Sequence, residues 1–335
     1  MTTKDDIIVR AYQEGDEALI LPLFREVFQT QRSLEHWQWK YRDNPFGRHK
    51  IAVAFTPEGA LAGQYAGYAV PFYASVGNMG EFVSLQIGDI MTAPQFRKSG
   101  KKSVLNRNIS YFCQKFCVDQ IPFMYGFITG KHRKIGEQHL SYQTVSHVPY
   151  HVLDLSQVKI NHTGRIKKIV SGLSIEKVTD IGPEYDLFFE KVCKEYPLLI
   201  KRGTSYLKWR YLACPDQAYR FFAVKRFGKL IGWSVFSIRE DVLIWGDALF
   251  QRQYAGAVSL MLEHILHDQR PEVKRVEGWF SSIPEWWTQA LRHAQFQVKP
   301  EPNGLVCDVA VFDERFTRQF LKNHFYFAMG DSDLF

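Results

Sequence analysis

The residues best suited to chemistry stand between Gly88 and Arg107. The run Gly88-Asp89-Ile90-Met91-Thr92-Ala93-Pro94-Gln95-Phe96-Arg97-Lys98-Ser99-Gly100-Lys101-Lys102-Ser103 holds four cations, Arg107 adds a fifth, and no acid lies between Arg97 and Arg107. Apolar patterning predicts a strand before this loop, over 82–91, and a long helix after it, over 101–116. Gly100 can take backbone angles closed to other residues, which frees successive N–H groups to point one way. Together with the positive end of the helix dipole, those donors form an anion site suited to a pyrophosphate. The plainer use of such a charge run is a solvated basic helix start.

Other chemistry-bearing residues read more quietly. Cys113 and Cys117 stand four apart in a helical pattern, which puts two small apolar side chains on one face. Five Cys are too few and too scattered for a disulfide framework. His264 and His267 are three apart on a predicted helix, with no third metal ligand near them in sequence. Trp37, Trp39, Trp209, Trp286 and Trp287 could line a substrate cage. Trp39 and Trp209 sit beside Tyr41 and Tyr211 in matching contexts, however, and that favours core packing. Trp286 and Trp287 are adjacent, so they face different sides of their helix and cannot share one buried face.

The elements that hold these residues come in two sets. Trp39-Lys40-Tyr41 with Pro45 recurs as Trp209-Arg210-Tyr211 with Pro215, at an offset of 170. Gly59-Ala60-Leu61-Ala62-Gly63 recurs as Gly228-Lys229-Leu230-Ile231-Gly232, and Gly88-Asp89 recurs as Gly246-Asp247. Three matches in one order point to a duplication, with a period too long for a solenoid. The first copy is expected to run strand, two helices, a hairpin turning at Pro57-Glu58-Gly59, a strand, a long helix and a strand. A helix over 130–140 and one extended segment over 144–155 would finish it. The second copy repeats that order, and residues 156–180 read as a connector with a strand over 173–178. The expected domains are therefore 1–155 and 181–335.

Length and composition agree with two globular domains: 335 residues, 46% hydrophobic, 23% charged and 15% aromatic. The opening residues carry acids and no apolar run of the kind found in signal peptides. No window approaches about 18 consecutive apolar residues, so a membrane span is excluded and a cytoplasmic chain is expected. Lys+Arg exceed Asp+Glu by 42 − 35 = 7, which favours anionic partners without naming one. Residues 1–155 account for 17 − 14 = 3 of that excess. No pattern of interleaved aromatics and cations marks a nucleic-acid surface.

The segment 94–105 resembles the coenzyme-A loop of the GNAT (Gcn5-related) N-acetyltransferase family, whose signature is Arg/Gln-x-x-Gly-x-Gly/Ala. Arg97 and Gly100 match it, and Lys102 stands where the family has a small residue. Tyr125-Gly126-Phe127, followed by Leu140-Ser141-Tyr142, is similar to a bacterial branch with Gly-Phe-Pro-Asn before Leu-Gly-Trp/Phe. In this chain Ile128-Thr129 replaces Pro-Asn, and Ser141 replaces the Gly. Trp209-Arg210-Tyr211 and Gly330-Asp331-Ser332-Asp333 look like the same branch, so the resemblance extends over nearly the full chain.

The resemblance implies an α+β fold of two tandem domains, each a twisted mixed, largely antiparallel sheet flanked by helices. It also implies a gap between two splayed parallel strands that takes an acyl-pantetheine, with acetyl-CoA as co-substrate and no metal. Backbone groups of Ile90, Met91 and Thr92 would hold the pantetheine, as an added edge strand does. Arg97, Lys98, Ser99, Gly100, Lys101, Lys102 and Ser103 would hold the phosphates. In the second copy, Gln253 and Gly256 fit the signature and Val258 does not. Gly246 to Gly256 also spans 10 positions, against 12 from Gly88 to Gly100. Only the first domain is therefore expected to bind the cofactor, while the second shapes the acceptor cleft or a homodimer contact.

Acetyl transfer needs a proton acceptor for the amine and a donor for the leaving thiolate. Glu81 and Asp89, flanking the cofactor-binding strand, are the candidate bases; a turn-facing carboxylate and a strand-end acceptor are their plainer readings. Glu137 falls where many relatives have the donor Tyr, which leaves Tyr142 and Tyr125 as nearby phenols. In some tandem relatives the end of the chain enters the active site, which adds Asp331, Asp333 and the Phe335 carboxylate. The expected activity is N-acetylation of a small amine, an amino sugar or an amino-acid derivative. The alternatives are a non-catalytic binder of a ligand or partner, and tandem-domain aminoacyl transfer from charged tRNA.

Overall fold

The computed structural model describes residues 7–98, 100, 102–130, 133, 136–137, 141–157, 172–269 and 272–335. Its strands in the first half are β1 (Ile8–Ala11), β2 (Ile51–Phe55), β3 (Leu61–Ala74), β4 (Gly80–Thr92), β5 (Phe123–Ile128) and β6 (Gln143–His147). They continue as β7 (Tyr150–Asp154), β8 (Leu173–Val178), β9 (Leu198–Ile200), β10 (Arg220–Arg226) and β11 (Lys229–Arg239). The last four are β12 (Val242–Phe250), β13 (Arg275–Trp279), β14 (Gln297–Lys299) and β15 (Val306–Val311).

Two mixed sheets result, and they share one plan. The first runs β1-β2-β3-β4-β5-β15-β6, with β9 paired to the end of β3, and the second runs β8-β10-β11-β12-β13-β7-β14. β1–β2, β2–β3, β8–β10, β10–β11 and β11–β12 are antiparallel neighbours, and β2–β3, β10–β11 and β11–β12 are hairpins. β4–β5 and β12–β13 are the parallel pairs, each spanned by a helix crossover. The duplication read from the sequence therefore corresponds to two sheets of the same order.

The compact units are not contiguous in sequence. One contains residues 1–71, 82–146 and 306–320; the other contains 72–81, 147–305 and 321–335. The segment expected as one strand over 144–155 breaks at Pro149 into β6 and β7, which enter different sheets. β15, from the far end of the chain, takes the place between β5 and β6 that a contiguous first domain would have filled from its own residues. Apolar alternation reports that a strand is half-buried, but it carries no information on which sheet receives the strand. The helix expected over 130–140 and most of the 156–180 connector lie outside the described residues.

In the first unit, helix α1 (Glu17–Phe28) buries Ile20, Leu23 and Phe24. Helix α2 (Leu34–Trp37) is capped by the Ser33 hydroxyl, which accepts from the His36 N–H. It runs on into a π-helical turn over Gln38–Arg42, and the second unit repeats that turn over Lys208–Leu212. Helix α3 (Val104–Phe116) lays Ile109, Phe112 and Phe116 on a core that includes Tyr65, Leu85 and Met124. Two glycines of β3 let α3 sit this close: a Cβ on Gly63 would lie 2.8 Å from both Met91 O and Val104 Cγ1. One on Gly67 would lie 3.3 Å from Phe112 Cζ of α3.

Candidate functional site

The first unit's cleft arises where β4 and β5 part. Their parallel pairing holds Leu85 to Met124 and Gln86 to Tyr125, and goes no further. Past Gln86 the strands diverge around a small recess. Ile87 and Ile90 line it from β4, Tyr125, Gly126 and Ile128 from β5, and Asp308 from β15, with Tyr142 beside them. The walls are mostly apolar, and past Gln86 this edge of β4 is not paired to β5. Such a place suits an extended apolar chain carrying amide groups.

Asp89 stands near the end of β4 with φ +54°, in the left-handed region. Its Oδ2 accepts from Tyr41 OH at 2.6 Å, from Lys40 Nζ at 3.2 Å and from the Arg32 guanidinium. Burial alone would push this carboxyl up, but the charges of Arg32 and Lys40 and the Tyr41 hydrogen bond outweigh it. They hold the carboxyl well below the usual carboxylate range. A carboxylate so committed has little affinity for a proton, so Asp89 anchors the strand end rather than acting as a base. The plainer reading of Asp89 is the one its surroundings match.

The same anchor is built in the second unit. Arg202 Nε donates to Asp247 at 3.0 Å, and Tyr211 OH donates to Asp247 at 2.7 Å. Arg210 occupies the place of Lys40 in the repeat. Arg32 and Arg202 are related by the same offset, 202 − 32 = 170. Self-comparison could have found this pair, but a single Arg beside dissimilar neighbours gave it no weight.

The phosphate-loop candidates lie at the start of α3. Gly100 has φ +102°, and a Cβ there would meet nothing within 4 Å. Ser103 caps α3, its hydroxyl accepting from Asn106 N–H at 3.3 Å, while Asn106 Nδ2 donates to Gly100 O at 2.8 Å. The loop is thereby tied to the helix start. Arg97, Lys98 and Lys102 are exposed; Arg97 Nε donates to Thr92 O at 3.0 Å. Arg107 instead bonds the Ile7 carbonyl at 2.6 Å and acts as a strut. Ile90 and Thr92 are half-buried and Met91 is buried. Ser99 and Lys101 lie outside the described residues.

The remaining candidates divide. Glu81 is exposed at the opening of β4 and pairs with Lys201 at 2.6 Å, and it is not among the residues lining the cleft. Tyr142 lines the cleft, and its hydroxyl pairs with that of the buried Tyr65. Burial pushes the Tyr142 phenol up, which keeps it neutral and suits a hydrogen-bonding role better than proton release. Tyr125 is buried in the cleft wall.

Asp308 was missed. Its residue is 2% exposed, its Oδ1 accepts from Thr144 OH at 2.7 Å, and its Oδ2 has no partner among the described residues. Burial pushes its carboxyl up, against the opposing effect of the Thr144 hydrogen bond. A signal was present: Asp308 is the only acid in the apolar run 305–312. A buried strand tolerates an isolated acid only with a partner or a purpose.

In the second unit the corresponding place is filled. β12 and β13 pair from Val242–Arg275 to Trp245–Gly278 and then stop. Beyond that point Ala328 bridges Phe280, Ser281 N–H donates to Phe327 O at 2.8 Å, and Tyr326 OH donates to Ala248 O at 2.9 Å. The Phe335 ring covers Gly246 so closely that a Cβ would fall 1.9 Å from it. Arg210 donates to the carbonyls of Gly330, Ser332 and Phe335, each at 3.1 Å, and Tyr219 OH donates to Phe335 O at 2.8 Å. The active-site role implied for Asp331 and the Phe335 carboxylate does not match these surroundings: both are engaged in this packing, with Arg202 holding Asp331 at 2.6 Å.

The other readings resolve simply. All five cysteines are free, Cys113 half-buried and Cys117 buried. No group of three or more His, Cys, Asp or Glu placed to hold a metal occurs among the described residues, His264 and His267 included. Trp37, Trp209 and Trp287 are buried, whereas Trp286 is half-exposed with its indole N–H toward Glu195 O at 3.4 Å. No helix of the described residues is long and apolar enough to cross a membrane.

Residues 8–112 match the family model described as an acetyltransferase (GNAT) domain. Among solved structures, a probable N-acyltransferase of unknown function from Enterococcus faecalis is similar at TM-score 0.66 and 9% identity, over 94% of this chain and 74% of its own. A GCN5-related N-acetyltransferase from Anabaena variabilis is similar at 0.63 and 13%, over 92% and 73%. Another from Kribbella flavida is similar at 0.63 and 12%, over 92% and 71%. At these identities the likeness is one of fold. No curated protein matches the chain in sequence.

Proposed function

We propose that the first unit, whose residues 8–112 match the acetyltransferase (GNAT) domain model, transfers an acetyl group from acetyl-CoA to a small amine. The observation that carries this reading is the parting of β4 and β5 beyond Gln86 around an apolar cleft. The acyl-pantetheine arm would lie along the freed edge of β4 at Ile90, Met91 and Thr92. The pyrophosphate would meet Gly100, Lys102 and the capped start of α3, with Arg97 and Lys98 supplying charge. The acceptor would be a small amine such as an amino sugar or an amino-acid derivative.

The experiment is a melting curve with acetyl-CoA, followed by thiol release across a panel of primary amines. Acetyl-CoA is expected to raise the melting temperature by mass action. Gly100→Glu is expected to abolish that rise, because it places a side chain and a negative charge in the phosphate loop at φ +102°. No rise at millimolar acetyl-CoA would sink the reading. A rise without thiol release from any amine would favour the non-catalytic binder, for which Lys102 in place of a small residue is the supporting feature.

A further inference from the structure

We propose that Asp308 accepts the proton that the acceptor amine loses as its nitrogen attacks the thioester carbonyl. The proposal rests on the acetyl-transfer reading and adds the group that moves the proton.

Three observations carry it. Asp308 lines the cleft, opposite Gly126 in the β15–β5 register, where that neighbour contributes no side chain. Its two oxygens are unlike: Oδ1 is fixed by Thr144 OH at 2.7 Å, and Oδ2 is buried without a partner among the described residues. A buried carboxylate oxygen without a donor costs free energy, and an amine nitrogen bearing hydrogens would satisfy it. The alternative carboxylates are spent elsewhere, Asp89 on three donors and Glu81 on Lys201.

The amine lone pair forms the N–C bond to the acetyl carbonyl carbon, and an N–H proton passes to Asp308 Oδ2. The C–S bond then breaks, sulfur keeps the electron pair, and the carboxylic acid returns its proton to the thiolate. The products are an N-acetyl amide and the free thiol, with Asp308 restored as a carboxylate. The charged groups acting on Asp308 are Arg133, which favours the carboxylate, and Glu137, which opposes it; they pair with each other at 2.8 Å. Burial outweighs the Thr144 and Arg133 effects and leaves the carboxyl above its ordinary value. That brings it closer to working pH, where a carboxyl can both take and give a proton.

The test compares wild type, Asp308→Asn and Asp308→Glu for acetyl-CoA binding by calorimetry and for thiol release with glucosamine and glycinamide as probe amines, across pH 5 to 9. Asp308→Asn keeps the shape and an acceptor for Thr144 OH. It should bind acetyl-CoA as the wild type does, with kcat lowered about 100-fold or more. The wild-type rate should climb with pH as Asp308 deprotonates. The Asn variant should lose that limb, so its deficit should widen as pH rises through the Asp308 titration; amine deprotonation, a property of the substrate, should raise both rates alike. Asp308→Glu should recover part of the rate. A purely structural role would lower the melting temperature and leave the pH profile unchanged. Equal rates for wild type and Asp308→Asn at every pH overturn the assignment of Asp308 and leave acetyl transfer standing. Acetyl-CoA binding by neither protein, or binding without thiol release from the wild type, overturns both.

Discussion

At the scale of residues, the molecule uses buried carboxylates in three different ways. Asp89 is neutralised by Arg32, Lys40 and Tyr41 and serves as an anchor. Removing it leaves two cations partly buried without their counter-charge, so Asp89→Ala should cost about 3–5 kcal/mol in denaturant unfolding. Its folded proton affinity lies below the unfolded one, so the stability it contributes is complete above the unfolded value. That stability is lost as pH falls through the depressed folded value. Asp331 behaves oppositely. Burial pushes it up to about 6, with Arg202 opposing and the nearby Asp247 charge reinforcing, because two acids share one buried guanidinium. Stability from this group is therefore complete below the ordinary Asp value and falls as pH rises towards 6. A pH series of unfolding midpoints should show that limb in wild type and lack it in Asp331→Asn. Asp308, with one oxygen unpartnered among the described residues, is the carboxylate to which we assign proton transfer.

At the scale of elements, each unit holds a parallel pair of strands that part, and the two partings differ in what lies beside them. In the first unit the space is lined by Ile87, Ile90 and Gly126. In the second, the Trp245 indole is fully buried with the rings of Phe280, Trp287 and Phe296 within 6 Å, and residues 326–335 lie against β12 and β13. One acetyl-CoA per chain is therefore the expected calorimetric stoichiometry, and two would contradict this account. Gly246→Ala tests the packing directly. Its methyl would overlap the Phe335 ring, so the ring must leave, and faster amide exchange over 330–335 should follow, with the unfolding midpoint lowered.

At the scale of the whole molecule, the first sheet takes β9 and β15 from the second half of the chain, and the second sheet takes β7 from the first. β15 completes the first sheet and β7 the second. A fragment ending at residue 155 would lack β15, leaving the core-facing edge of β5 unpaired and the cleft without Asp308. Such a fragment is expected to show no cooperative melting and no acetyl-CoA binding, because long exposed strand edges aggregate rather than fold. A fragment of 1–155 that melts cooperatively and binds acetyl-CoA would show the exchange to be dispensable.

What the amino-acid sequence determined by itself is local and periodic. The hairpins, the long helix after Gly100, the doubled Trp-Lys/Arg-Tyr turn and the basic loop all follow from side-chain period, turn residues and capping. Each depends on neighbours a few positions away. The likeness to the GNAT family was legible for the same reason, since its motifs are short and contiguous. What the tertiary structure alone decided is non-local. Whether a carboxylate is a base or an anchor depends on which cations fold back onto it, as Arg32 and Lys40 do onto Asp89 from 57 and 49 residues away. Which strand sits beside β5 depends on a pairing between residues 123–128 and 306–311. No periodicity within either strand encodes that choice. Proton affinity and strand partnership are both properties of surroundings, and only the folded chain assembles them.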